Sequence, residues 1–247
     1  MSETYTEFAT LYDYLMTEAP YNEWINFVEC ALRKKGELLE LGAGTGTLAA
    51  HLIQKGYPVT VSDLSEDMLA IAEQKIRAID ETASFYVLDM REFRLNHLFD
   101  GVLLFCDAIN YLSDAEAVKE TFQTVFLHLK PGGVFLFDAH SVKKIERFLD
   151  QQTFGSSDPD VSYLWECFPG ETESSVVHDL TFFVQQEDGS YKRVEETHEQ
   201  RTYPLDQFLI WLEAIGFVEV NVIGDFDDTL DLAECDRWCF TAKKPSL

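Results

Sequence analysis

Apolar residues in the first half of the chain fall in short unbroken runs, separated by longer stretches with helical spacing. Residues 37–41 form one such run and end in glycines; 47–55 follow as a helix, and 57–61 are rich in β-formers and lead to Asp63. Ser65 is a good N-cap for a helix over 66–79, in which Met68, Leu69, Ala72, Ile76 and Ile79 recur every three or four residues. Residues 83–88 and 100–105 read as strands. Ser113-x-x-Glu116 reads as a capping box opening a helix to about 129, stopped by Pro131-Gly132-Gly133 before a strand at 134–137. Strands that alternate with helices, several of them apolar throughout, predict a doubly wound α/β fold, a mostly parallel seven-stranded sheet covered on both faces.

That alternation stops near residue 140. Residues 161–168, 174–185 and 190–203 read as antiparallel strands, the last two flanking the hairpin signal Asp188-Gly189. A helical period returns at 205–215, ends at Gly216, and is followed by strands at 217–223 and 238–241. The expected organisation is one domain over 1–247: a helical leader (1–35), a core (36–140), an antiparallel insertion (141–204) and a return to the core (205–247). In the leader, Tyr5, Phe8, Tyr12, Leu15 and Met16 share one helix face, and Tyr21, Trp24, Phe27 and Val28 another. Such helices either pack on the domain or close over a ligand cleft; tyrosines, with a polar tip on an apolar body, suit the second role.

Composition narrows the partners. Forty-four acids against 19 bases give a net charge of −25, which disfavours DNA, RNA and anionic membranes, whose binding needs clustered Lys and Arg. The chain has no run of 18 apolar residues, its N-terminus lacks the basic and apolar regions of a signal peptide, and its five cysteines contain no C-x-x-C pair. The expected location is the cytoplasm. The acidic stretch 225–236 lacks the spacing of a calcium loop, so no metal site is expected there.

The stretch with most chemistry is Glu40-Leu41-Gly42-Ala43-Gly44-Thr45-Gly46, between a predicted strand and a predicted helix, where backbone approaches a ligand closely. Asp63 ends the next strand about 20 residues on, the spacing of a carboxylate that accepts ribose hydroxyls. A P-loop needs Lys-Ser/Thr after its last glycine, and this chain has Thr47-Leu48. Glu40 beside the loop would repel a pyrophosphate and suits a cationic nucleoside.

These segments resemble the class I methyltransferases that use S-adenosylmethionine. The glycine stretch matches their first motif, Val59–Asp63 with Leu64, Ser65, Met68 and Leu69 the second, and Asp89-Met90 the third-strand end. The segments 99–105 and 129–135 match the fourth strand and the turn into the fifth, and the leader looks like that of small bacterial methyltransferases without an assigned substrate. The resemblance implies S-adenosylmethionine as cofactor, with Gly42, Ala43, Gly44 and Gly46 under its methionyl and ribose parts and Glu40 at its amino group. It further implies Asp63 at the ribose, Leu64 and Met68 against adenine, and Asp89 and Met90 at the adenine edge. Tyr5 and Tyr12 would close over the methionine end, and Asp107, Asn110 and Tyr111 would border the transferred methyl group. The implied activity is in-line methyl transfer to a small-molecule acceptor. Methylation of protein or RNA, and a cofactor-binding sensor without turnover, stay open. If the acceptor arrives protonated, His140 just past the fifth strand is the first candidate base and Tyr111 the second, followed by His178 and His198; His51, His97 and His128 are read as surface residues. Aromatic residues of the insertion (Phe154, Tyr163, Trp165, Phe168, Phe182, Phe183) suit a substrate wall, its own core or a homodimer interface.

Overall fold

The computed structural model describes residues 11–32 and 34–246, so Tyr5 and Phe8 lie outside it. The elements are α1 (Tyr21–Ala31), β1 (Leu38–Glu40), α2 (Thr47–Gln54), β2 (Val59–Asp63), α3 (Glu66–Arg77), β3 (Ser84–Val87), β4 (Phe99–Leu104), α4 (Ala115–His128) and β5 (Leu129–His140). They continue as α5 (Val142–Gln151), β6 (Thr153–Ser156), β7 (Val161–Pro169), β8 (Ser175–Gln185), β9 (Tyr191–Arg201), α6 (Leu205–Ile215), β10 (Val218–Gly224) and β11 (Arg237–Lys243). One sheet has the order β10-β11-β5-β4-β1-β2-β3, and β6-β7-β8-β9 form a second, antiparallel sheet. In the first, β5, β4, β1, β2 and β3 pair in parallel, while β11 runs antiparallel to both β5 and β10.

Residue alternation along the strands sorts apolar side chains to the two faces. Leu38, Val61, Leu103 and Leu136 meet Trp24, Val28, Leu52, Leu69 and Ile76 from α1, α2 and α3. On the other face Leu39, Val102, Phe135, Phe137 and Phe240 meet Phe122 of α4 and Phe208 and Leu212 of α6. Phe137 and Phe240 stack with centroids 4.3 Å apart, joining the antiparallel edge to the parallel strands. No helix among the described residues is long and apolar enough to cross a membrane.

Local differences from the sequence expectations have physical causes. Ser65 caps α3 as expected, accepting from the Met68 N–H. At α4 the cap is Asp114, whose carboxylate accepts from the Ala117 N–H, while Ser113 donates to Asp114; a carboxylate one residue closer to the helix displaces the serine from the role. Pro131-Gly132-Gly133 does not stop α4, which ends at His128; it forms a bulge within β5, opposite Phe99 and Gly101. Residues 142–156 supply a helix, α5, and a short strand, β6, that periodicity did not mark. His128 is buried, not superficial: its Nε2 accepts from the Leu95 N–H, 3.1 Å, and its ring lies 4.3 Å from that of Phe93.

Candidate active site

The parallel strands β1, β2, β4 and β5 bring their carboxyl ends to one edge, where a doubly wound sheet opens a crevice. The side chains at those ends are polar: Glu40, Asp63, Cys106-Asp107 just past β4, and Asp138 and His140 of β5.

Glu40 is 4% exposed. Its carboxylate meets the Ala49 N–H in the first turn of α2, yet Oε2 has no partner. Burial, reinforced by the nearby Asp63, pushes its pKa up to about 8. It lines a small cavity with Tyr12, Tyr21, Trp24, Gly42 and Phe105. Asp63 accepts from the Gly44 N–H (2.7 Å) and the Ser65 N–H (2.8 Å) on different oxygens, and the Leu64 N–H also bonds the carboxylate. Gly44 has φ +54°, and a Cβ there would lie 3.5 Å from the Tyr12 ring. Gly46 acts differently: at φ +71° its bare Cα faces α3, where a Cβ would fall 2.7 Å from that of Ala72. Its lack of a side chain lets α2 pack against α3.

Tyr12 belongs to a helical turn over residues 11–15 that lies across the glycine loop. Its hydroxyl is 3.4 Å from Cys106 Sγ. Next to it, Asp13 bonds Thr45 and pairs with Lys75 of α3 at 3.1 Å, and Lys75 also donates to Thr47 at 2.7 Å. Leu11 is buried against Leu180, Phe182 and Val194 of the second sheet, with Met68 at the margin. The leader therefore bridges the glycine loop and the inserted sheet. Leu64 is exposed, Met90 approaches Gly42, and Asp89 chelates the Arg91 guanidinium, which holds its carboxyl below the usual range.

The deepest polar cluster surrounds Asp107. Cys106 and Asp107 both have left-handed backbone (φ +58° and +50°), a conformation that costs a non-glycine residue about 1 kcal/mol or more. Several contacts fix it: the Asp107 N–H donates to Asp138 Oδ1 at 2.7 Å, and the carboxylate takes Arg237 Nη2 (3.1 Å), Gln200 Nε2 (2.8 Å) and His140 Nε2 (3.4 Å). Burial opposes ionisation of Asp107, but His140, Arg237 and Gln200 outweigh it and hold the carboxyl far below the ordinary range. Arg237 Nη1 also pairs with Asp138 Oδ2 at 2.5 Å, and the same oxygen accepts from Trp24 Nε1 at 2.7 Å. His140 keeps Nδ1 buried without a partner, and its ring meets Phe148 edge-on. Asn110 accepts from the His140 N–H and donates to the Arg201 carbonyl.

From the second sheet, Gln200 Oε1 meets His178 Nε2 (3.2 Å), and Trp165 Nε1 donates to His178 Nδ1 (3.0 Å). Burial depresses His178 to about 4, so it stays neutral near pH 7. His198 packs edge-on against Tyr111, which is half exposed. Of the insertion's aromatic residues, Phe154, Tyr163, Trp165 and Phe182 lie on the inward face of this sheet, where they pack into apolar clusters, and Phe168 and Phe183 are exposed on the other.

The structure thus brings together Glu40, Gly42, Ala43, Gly44, Asp63, Tyr12, Asp107, Tyr111 and His140. Sequence reasoning missed Asp138, Gln200 and Arg237, and placed Trp24 on a leader face without its bond to Asp138. Arg237 was the one with a signal: it directly follows an acidic stretch without a base.

Comparison with known proteins agrees with this geometry. The family described as "Methyltransferase domain" matches residues 38–133. The chain is 43% identical to "Putative methyltransferase YqeM" of Bacillus subtilis, over 97% of each chain. A crystal structure of an S-adenosylmethionine-dependent methyltransferase from Clostridium acetobutylicum superposes with a TM-score of 0.85 at 29% identity, covering 98% of this chain and 99% of that one. A 101-residue segment, 41% of each chain, is 32% identical to the dTDP-3-amino-3,4,6-trideoxy-alpha-D-glucopyranose N,N-dimethyltransferase of Streptomyces venezuelae. With S-adenosylmethionine as its cofactor, this chain belongs to the small bacterial class I methyltransferases.

Proposed function

We propose that this enzyme methylates a small molecule held between the glycine loop and the inward face of the inserted sheet. The observation that carries the reading is the buried Glu40 carboxylate, with one oxygen unpartnered, beside bare glycine backbone and within electrostatic reach of Asp63. An ammonium group satisfies that oxygen, and the Asp63 carboxylate at the end of β2 suits a ribose hydroxyl. When bound, S-adenosylmethionine supplies a methyl group on a sulfonium sulfur, already a good leaving group.

The protein's work is then alignment and exclusion of water, an effect worth several orders of magnitude. Glu40 would hold the cofactor's amino group and Asp63 its ribose, Leu64 and Met68 would flank the adenine, and Asp89 with Met90 would meet its edge. Tyr12 closes over the glycine loop. On the acceptor side, Asp107 holds His140 by Nε2, leaving Nδ1 to take a proton, with Tyr111 as the second group at the same loop. The likeness to an amino-sugar methyltransferase supports a small acceptor.

The test is calorimetry with S-adenosylhomocysteine. Micromolar binding by the wild type and at least a tenfold loss in Asp63→Ala are expected, about 1.4 kcal/mol or more. Absence of binding by the wild type, or equal binding by the variant, refutes the site.

A further inference from the structure

The charges around the acceptor space are strongly one-sided. Asp63, Asp107 and Asp138 stand at the strand ends, the last two sharing the single Arg237, and Glu196 lies on the same face of β9 as His198 and Gln200; Glu40, protonated near pH 7, adds no charge. The cations that touch this region are already bound to carboxylates. Arg237 is clamped between Asp138 and Asp107, Lys144 pairs with Asp236, Lys75 with Asp13, and Arg91 with Asp89. Arg201, next to Gln200, takes the opposite face of β9, donating to the Ser113 carbonyl and stacking on Tyr203. The three histidines facing the Asp107 cluster do not change this balance: burial holds His178 and His198 toward their neutral forms, and His140 is held by Asp107.

We infer that the acceptor is an amine whose body carries no carboxylate or phosphate. An anionic substituent in this cleft would meet Asp63 and Glu196 and find the nearby cations committed, an unfavourable juxtaposition. An ammonium finds the reverse, and the chain's charge of −25 draws cations toward it. In the reaction the nitrogen lone pair forms the bond to the methyl carbon while the carbon–sulfur bond breaks and its electron pair stays on sulfur. The N–H proton passes to His140 Nδ1 and on to water. An ammonium acceptor first gives up one proton to solvent, so the attacking nitrogen is neutral. This inference rests on the methyltransferase reading above and narrows it, since the amino-sugar relative is named for an acceptor carrying a nucleoside diphosphate.

The experiment uses matched pairs that differ only in the anion: tyramine and tyrosine, histamine and histidine, putrescine and ornithine, with an amino sugar free and as its nucleoside diphosphate. Each is tested with the full-length enzyme and S-adenosylmethionine for methyl transfer, and by calorimetry for binding to the enzyme loaded with S-adenosylhomocysteine. In at least one pair the anion-free amine should be methylated and bound about tenfold or more better than its partner, and Glu196→Lys should narrow that ratio. The inference is overturned by equal or better use of the anionic partner, by turnover of phenols alone, or by conversion of no amine while S-adenosylhomocysteine still binds. Failure to bind S-adenosylhomocysteine removes the underlying methyltransferase reading instead, so the two failures are distinct.

Discussion

Replacing Arg237 by methionine keeps most of its apolar stem and deletes the charge between Asp138, which is fully buried, and Asp107. Removing one partner of a buried ion pair costs about 3–5 kcal/mol, because the carboxylates left behind keep their desolvation without their counter-ion. Here two carboxylates lose it, and the cation also lies 5.4 Å from the Trp24 ring centroid. At about 2–4 °C per kcal/mol for a chain of this size, Arg237→Met should lower Tm by about 6–20 °C. Asp138→Asn in the same background should recover part of the loss, since it removes one stranded charge. The pH dependence has a definite sign. In the wild type the folded Asp107 carboxyl is depressed, so its stabilisation is present above the unfolded value of about 4 and is lost as pH falls. The variant forfeits part of that stabilisation, so the gap between the two proteins is widest near pH 7 and closes as the medium is acidified. Thermal unfolding followed by circular dichroism at about pH 7, 4 and 2.5 measures it, the last two spanning the window below the unfolded value. A Tm within about 2 °C of wild type at pH 7, or a gap that widens in acid, refutes the clamp.

Three further outcomes are expected. Because Glu40 titrates at about 8 when folded and near 4.5 when unfolded, it is protonated only in the folded state between those values. Its contribution to stability therefore falls as pH rises through that window, by up to about 1.4 kcal/mol per pH unit, and urea midpoints of Glu40→Gln should lack that component of the slope. His140→Asn should lower kcat by about 100-fold or more with S-adenosylhomocysteine affinity preserved, the range for loss of a general base; a kcat within about threefold of wild type would remove His140 from that role. Asp13→Asn loosens a half-exposed pair worth about 1 kcal/mol at most, so stopped-flow release of S-adenosylhomocysteine should quicken by up to about fivefold, whereas an unchanged rate argues against the leader as a latch.

Much of the core was legible because it rests on local rules. Val59–Asp63 reads as a strand from its β-branched residues, Ser65 as a cap from its hydroxyl, and the Glu40–Gly46 stretch as a ligand loop from its glycines. The Asp107 cluster was legible only in part. Asp107 and His140 follow strand ends and could be named, but Arg237, Asp138, Gln200 and Trp24 come from four distant segments, and no local period records that they meet. The same limit explains Gly46, where a glycine within a ligand motif makes room for Ala72 from another helix. The inserted strands were visible by alternation and by Asp188-Gly189; α5 was not, because only Ile145 and Phe148 of its residues are buried.

The two ends of the inserted sheet leave and rejoin the core at almost the same point. Thr202 donates to the His140 carbonyl, and Asn110 spans the His140 amide and the Arg201 carbonyl, so the departing and returning strands are fastened to each other and to the loop after β4. A segment whose ends coincide can be exchanged without shifting the seven-stranded register beneath it. Replacing residues 142–200 with the matching segment of a relative should move acceptor preference as a unit, provided the graft supplies Gln200 to Asp107 and an apolar patch in place of Leu180, Phe182 and Val194 to Leu11.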